Sequence, residues 1–153
     1  MRRALAAVLA LAAAGAVAQE ARYAEGAATF QANCAVCHRA NGAGNPGLAP
    51  PVIADTPGFA ATAEGRRQLA MTLLYGMYGE VTVGGRRYNF KMPEFSRFDD
   101  ATIAEVINHV LFDLAKVDAA VAPLTVADVA SERAQPVDGA AVRAHRATVV
   151  AAP

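Results

Sequence analysis

Apolar residues recur at helical spacing in three stretches of the chain. Between Asp100 and Leu114, the residues Ile103, Val106, Ile107, Val110, Leu111 and Leu114 fall three and four apart. That spacing predicts an amphipathic helix, with Asp99 placed to cap its start. The stretch RRQLAMTLLYGMYG predicts a second, more apolar helix ending at Gly76. A first helix is expected from about Tyr23 to Cys34; Gly26 and Phe30 lie one turn apart on it, so a backbone gap and an aromatic ring share a face. The partner expected on that face is the helix from Asp100 to Leu114. Strand-like alternation occurs in EVTVGGRRYN, where Gly84-Gly85 signals a two-residue hairpin turn. RANGAGNPGLAPPVIAD, rich in glycine and proline, reads as loop. Beyond Lys116 come two short helical patterns, Val126 to Arg133 after Thr125 and about Gly139 to Arg146 after Asp138. The spacing Val129-x-x-x-Arg133 recurs as Val142-x-x-x-Arg146, which suggests a tail laid across the globule; a flexible linker to a membrane or partner is the competing reading. His145 on this tail is expected to be solvated. The pattern is mainly α, with a small β-hairpin and a C-terminal helical extension.

The amino terminus changes the compartment. Arg2 and Arg3 precede fifteen residues from Ala4 to Ala18 that are almost all apolar, ending in the small-x-small triplet Ala16-Val17-Ala18. This is the layout of a secretory signal, and it is too short for the roughly twenty residues that span a bilayer. Cleavage is expected after Ala18, which makes the product periplasmic; an uncleaved signal would leave a membrane-anchored form. Fourteen basic and fourteen acidic residues balance, so loss of the two arginines leaves twelve against fourteen, a net charge of about minus two. With no basic cluster, nucleic-acid binding is not expected.

Export places Cys34 and Cys37, which are all the cysteines present, in an oxidising compartment. A structural zinc site needs four ligands, and one cysteine pair with three scattered histidines is a poor match. A thioredoxin-like dithiol would follow a strand, yet the segment before Cys34 is helix-like. A plain disulfide would leave His38 unexplained. Cys-x-x-Cys-His is the pattern of covalent c-type haem attachment: each thiol adds to one vinyl group, and the histidine that follows is delivered to iron as proximal ligand. One covalently attached haem c, on Cys34, Cys37 and His38, is therefore expected.

Function then turns on the opposite face of the iron. Met71 and Met77 lie on or just after the apolar helix and read as core packing. His109 lies mid-helix, where packing is more common than ligation. Met92, in RRYNFKMPEF, sits in a loop before a proline that prevents helix, so it can serve as ligand or as core filler beneath the loop.

From about Tyr23 to Lys116 the sequence resembles a class I monohaem cytochrome c. The resemblance rests on the first helix with Gly26 and Phe30, on Cys34-x-x-Cys37-His38, on GLAPPV, LLYG and YNFKMPEF, and on the final amphipathic helix. It implies the class I fold around one covalent haem, with Met92 as the second axial ligand. It further implies that the Pro50 carbonyl accepts a hydrogen bond from the far nitrogen of His38, although Pro51 is an alternative match. The hairpin is expected over one haem edge, where Tyr88 and Arg86, with Arg87, could bind a propionate; an exposed role for the two arginines competes with this. Through EGRRQLAMTLLYGMYGEVTVGGRRYN, AEVINHV and PLTVADVASERA the chain is similar to the long-tailed cytochromes c that donate electrons to terminal oxidases in some thermophilic bacteria. Those relatives carry glycine where this chain has Phe90, a change that could alter the loop leading to Met92.

The implied organisation is a signal peptide (1–18), a haem domain (19–117) and an extension packed on it (118–153). The implied function is that of a monomeric periplasmic electron carrier, not an enzyme, peripheral to membrane complexes. It takes one electron from a quinol-oxidising complex and passes it to a terminal oxidase. Two other readings stay open: a haem sensor or peroxidase with a labile methionine, and an accessory subunit of a dehydrogenase or oxidase. The chain has only two lysines, Lys91 and Lys116, and no charge from Ala40 to Ala54, so docking is expected to rely on apolar contact more than on steering.

Overall fold

Asp99 accepts a hydrogen bond from the Thr102 amide at 2.7 Å and starts the helix around which the molecule is built. In this computed structural model, which describes residues 21–151, the helices are α1 (Ala24–Asn33), α2 (Ala35–His38), α3 (Thr56–Ala60), α4 (Ala63–Tyr75), α5 (Asp100–Asn108), α6 (Val126–Arg133) and α7 (Gly139–Ala151). Strands β1 (Val81–Val83) and β2 (Arg86–Tyr88) pair antiparallel, with Val81 opposite Tyr88 and Val83 opposite Arg86. The expected signal segment, residues 1–18, and its cleavage after Ala18 lie outside the described residues.

Helix α1 crosses α5 at Gly26. A Cβ there would stand 2.1 Å from the Glu105 carbonyl oxygen, so only glycine allows the two backbones so close. Phe30, one turn on, is buried and lies 5.6 Å from the His109 ring. The core beneath is formed by Leu74 of α4, by Ile103, Ile107 and Leu111 around α5, and by Val129 of α6.

The helix from Asp100 was expected to run unbroken to Leu114. Instead α5 ends at Asn108 and the backbone continues as a π-helical segment, His109–Leu114. The wider winding buries His109, Leu111 and Phe112 together, more of the circumference than an α-helical stripe would cover. Just before it, the buried Asn108 side chain accepts from the Leu124 amide at 2.7 Å and donates to the Leu124 carbonyl at 2.9 Å. The start of the tail is thereby paired to a side chain as it would be to a strand.

The tail packs as two helices. A capping box joins Thr125 to Asp128 at the start of α6, and Asp138 accepts from the Ala141 amide at the start of α7. Val129 and Val142 are both fully buried, α6 against α4 and α5, α7 against α4. Arg133 donates to Asp100 at 2.6 Å and to the carbonyls of Ser96 and Phe98, tying α6 to the start of α5. Helix α7 runs to Ala151, beyond the expected end at Arg146.

His145 is not simply solvated, contrary to expectation. Its Nδ1 lies 2.7 Å from Gln68 Oε1 and its Nε2 lies 2.9 Å from Glu64 Oε2, because α7 turns this face onto α4.

Candidate functional site: an apolar cavity bordered by histidine, cysteine and methionine

Helix α1 ends at Asn33, and the chain re-enters helix at Ala35 for one turn that carries Cys34, Cys37 and His38. The Cys34 and Cys37 sulfurs are half-buried and not bonded to each other. Burial, reinforced by the neighbouring Cys37 and opposed by Arg97, pushes the Cys34 thiol up to about 11, so it stays protonated. His38 is buried, and its Nδ1 lies 2.9 Å from the Pro50 carbonyl oxygen. A carbonyl can only accept, so Nδ1 carries the proton and Nε2 keeps a free lone pair. Burial holds the His38 imidazole below its ordinary value, with the Pro50 bond opposing, which keeps the ring neutral as a metal ligand must be.

Met92 is set by a different device. Gly76 closes α4 with φ at +66°, and a Cβ there would stand 2.5 Å from the Met92 carbonyl oxygen. The chain turns at this glycine so that Met77 and Met92 exchange backbone hydrogen bonds, Met92 N–H to Met77 O at 2.8 Å and Met77 N–H to Met92 O at 3.1 Å. Opposed residues of such a bridge project to the same side, so the two methionines go together.

Cys34, His38, Pro50, Met77 and Met92 border one apolar cavity, partly open to solvent. Phe30, Leu69, Leu73, Val106, Ile107 and Val110 give it apolar walls, and Val83 of the hairpin adds one edge. Cys37 lies one turn on along α2, outside the lining. Met71 is buried in the core away from the cavity, and His109 faces the other way, its Nδ1 3.0 Å from Asp113 Oδ2. An apolar slot bordered by an imidazole nitrogen and thioether sulfurs suits a flat hydrophobic macrocycle with a borderline-soft iron. The residues present fit a haem.

The expected propionate partners stand elsewhere. Tyr88 is buried, and Arg86 is exposed, but neither borders the cavity. Arg87 points outward to Glu80 at 3.4 Å. With strands of only three residues, Val83 is the hairpin residue that reaches the cavity. The charged residues that do border it are Asp55 and Arg146, which pair with each other, and Gln68 adds a buried amide. Sequence reasoning passed over all three. The signal for Arg146 was its spacing from Val142, since a residue four places from a buried valine shares its face. Phe90 is 62% exposed, and the non-glycine residues with positive φ among those described are Arg39 and Lys116. Position 90 therefore makes no demand for glycine.

A helical shell of this topology, closed around an apolar slot beside Cys-x-x-Cys-His, defines a class I monohaem cytochrome c. Residues 23–111 match the sequence model of the cytochrome c family, and the chain belongs to that family. Haem c, attached covalently, is its cofactor. The chain is similar to cytochrome c-552 of Thermus thermophilus, 41% identical over 83 residues, which cover 54% of this chain and 63% of that protein. A second cytochrome c-552 of the same species shows the same 41% identity over 83 residues, 54% of this chain and 56% of its own length. The matched part thus spans less than two thirds of either relative.

Proposed function

We propose that this protein is a periplasmic carrier of one electron, with haem c joined to Cys34 and Cys37 and its iron held between His38 and Met92. Residues 19–117 form the haem domain and 118–153 an extension of it. The donor is a quinol-oxidising complex and the acceptor a terminal oxidase; the protein acts as a monomer at the membrane surface. Among the described residues no helix is long and apolar enough to cross a membrane.

The observation that carries this reading is the convergence of His38 and Met92, from opposite halves of the chain, on one apolar cavity beside Cys34. When bound, the haem supplies a one-electron couple between ferric and ferrous iron. The chain's residues do the rest. Pro50 fixes the His38 ring through Nδ1, so Nε2 would be offered to iron in one orientation and with raised basicity. The bridge to Met77 holds the Met92 backbone, so the sulfur position does not depend on a mobile loop. A thioether ligand and burial both favour the ferrous state and raise the potential. With His38 and Met92 both serving as ligands, a bound iron would offer no position to a substrate.

The test is the absorption spectrum of the ferric protein after maturation with haem. Wild type should show the weak far-red band of sulfur-to-iron ligation, and Met92→Ala should abolish it. Met77→Ala, on the same cavity, should keep it. A band that survives Met92→Ala and disappears in Met77→Ala would transfer the ligand role to Met77.

A further inference from the structure

We propose that Arg146, on the last helix, binds a haem propionate, so that the C-terminal tail supplies part of the cofactor site. This rests on the haem reading above and adds to it a residue outside the span matched by the family.

Arg146 is 8% exposed and borders the same cavity as His38 and Met92. A guanidinium is costly to bury unless its donors are satisfied. Arg146 uses one nitrogen, Nη2, which donates to Asp55 and lies 3.5 Å from the Thr82 carbonyl oxygen. Nε and Nη1 make no hydrogen bond to any described residue. The guanidinium carbon stands 5.9 Å from the centre of the Phe59 ring, which limits how the plane can turn. The result is a cation held at the wall of an apolar cavity, with planar donors left over.

The ligand chemistry that matches is a carboxylate inside the cavity. Haem carries propionate carboxylates on one edge, and a carboxylate taken into an apolar slot needs a charged donor there. Two parallel N–H groups of a guanidinium suit a carboxylate better than a lysine ammonium does. Asp55 is the counter-charge that keeps the arginine in place, and the Thr82 carbonyl steadies it from β1. The hairpin arginines are less suited: Arg86 and Arg87 are exposed and do not border the cavity.

A structural ion pair alone would tie α7 to the loop before α3 and leave the haem untouched, so the test reads the haem. Holoprotein of wild type, Arg146→Gln, Arg146→Lys and Arg86→Gln is compared by resonance Raman of the propionate bending mode and by midpoint potential against pH. Arg146→Gln is expected to shift the propionate band and to lower the potential, because removing a cation beside the haem favours ferric iron. It should also move the pH-dependent step of the potential upward, since the propionate loses the charge that favours its ionised form. Arg146→Lys should restore part of both changes, and Arg86→Gln should behave as wild type. If Arg146→Gln fails to mature, Arg146→Lys decides: a point charge in place of the fork should still displace the Raman band. An unchanged band and potential in the Arg146 variants, or shifts seen only in Arg86→Gln, would overturn the proposal. Loss of the far-red band from wild type would instead sink the His38 and Met92 assignment, leaving the Raman comparison valid for Arg146.

Discussion

Gly26 shows how much can rest on a hydrogen atom in place of a methyl group. Its missing Cβ is what lets α1 lie against the Glu105 carbonyl, and α1 carries the cysteine segment at its end. Gly26→Ala must therefore push α1 off α5, and a loss of about 3 kcal/mol is expected, at the high end for overpacking. Denaturant unfolding of the holoprotein measures it; a loss below about 1 kcal/mol would mean that the helices separate easily. At this scale the sequence was informative where chemistry has a fixed spacing. Cys34, Cys37 and His38 fall within five residues at a fixed spacing, and Met92 sits in a loop where a helix cannot form. Arg146 and Gln68 were not legible as site residues, because each lies on a helix and reaches the cavity only through its angle of packing. Arg86 and Tyr88 illustrate the converse, since their distance from Met92 along the chain says little about which way a three-residue strand turns its side chains.

Among the elements, α7 is held by a latch with a definite charge state. Thr72 donates its hydroxyl to the Gln68 carbonyl and accepts from Gln68 Nε2, which leaves Gln68 Oε1 to accept from His145 Nδ1. His145 Nε2 faces the Glu64 carboxylate, with Arg67 3.8 Å from the same oxygen. The hydrogen bond from His145, helped by the charges of Arg67 and His145, holds the Glu64 carboxyl below the usual glutamate range, against a smaller opposing effect of desolvation. A carboxyl whose value falls on folding stabilises the fold above its unfolded value, and that contribution disappears as pH falls through the lowered one. Helix α7 should thus loosen in acid below about pH 4. Hydrogen exchange along Gly139–Ala151 in a pH series tests this: protection should fall in that window, and Glu64→Gln should flatten the dependence. Helix positions and caps were readable from apolar spacing with Asp99, Thr125 and Asp138. The switch to a π-helical segment at His109 was not, because spacings of three and four suit both windings until burial around the whole circumference is known.

On the scale of the molecule, part of the charge is held in pairs. Arg66, Arg67, Arg87, Arg133 and Arg146 all pair with carboxylates, and Arg97 lies over Phe95 and Phe98. The stretch from Ala40 to Ala54 carries no charge, and Val36, between the two cysteines, is 80% exposed. If such a surface meets its partner through apolar contact, the rate of electron transfer to a redox protein should change by less than about twofold between low and physiological salt. Stopped-flow oxidation across a salt series measures this, and a steep fall would point to electrostatic steering. The apolar character of this face was evident in the sequence, whereas the internal pairing of the arginines depended on the fold.

A cavity wall finished by α7 also means that the pocket is complete only when the carboxyl-terminal segment is docked. A chain cut back before Gly139 should still carry its pigment on Cys34 and Cys37, yet leave that pocket open to water on one side.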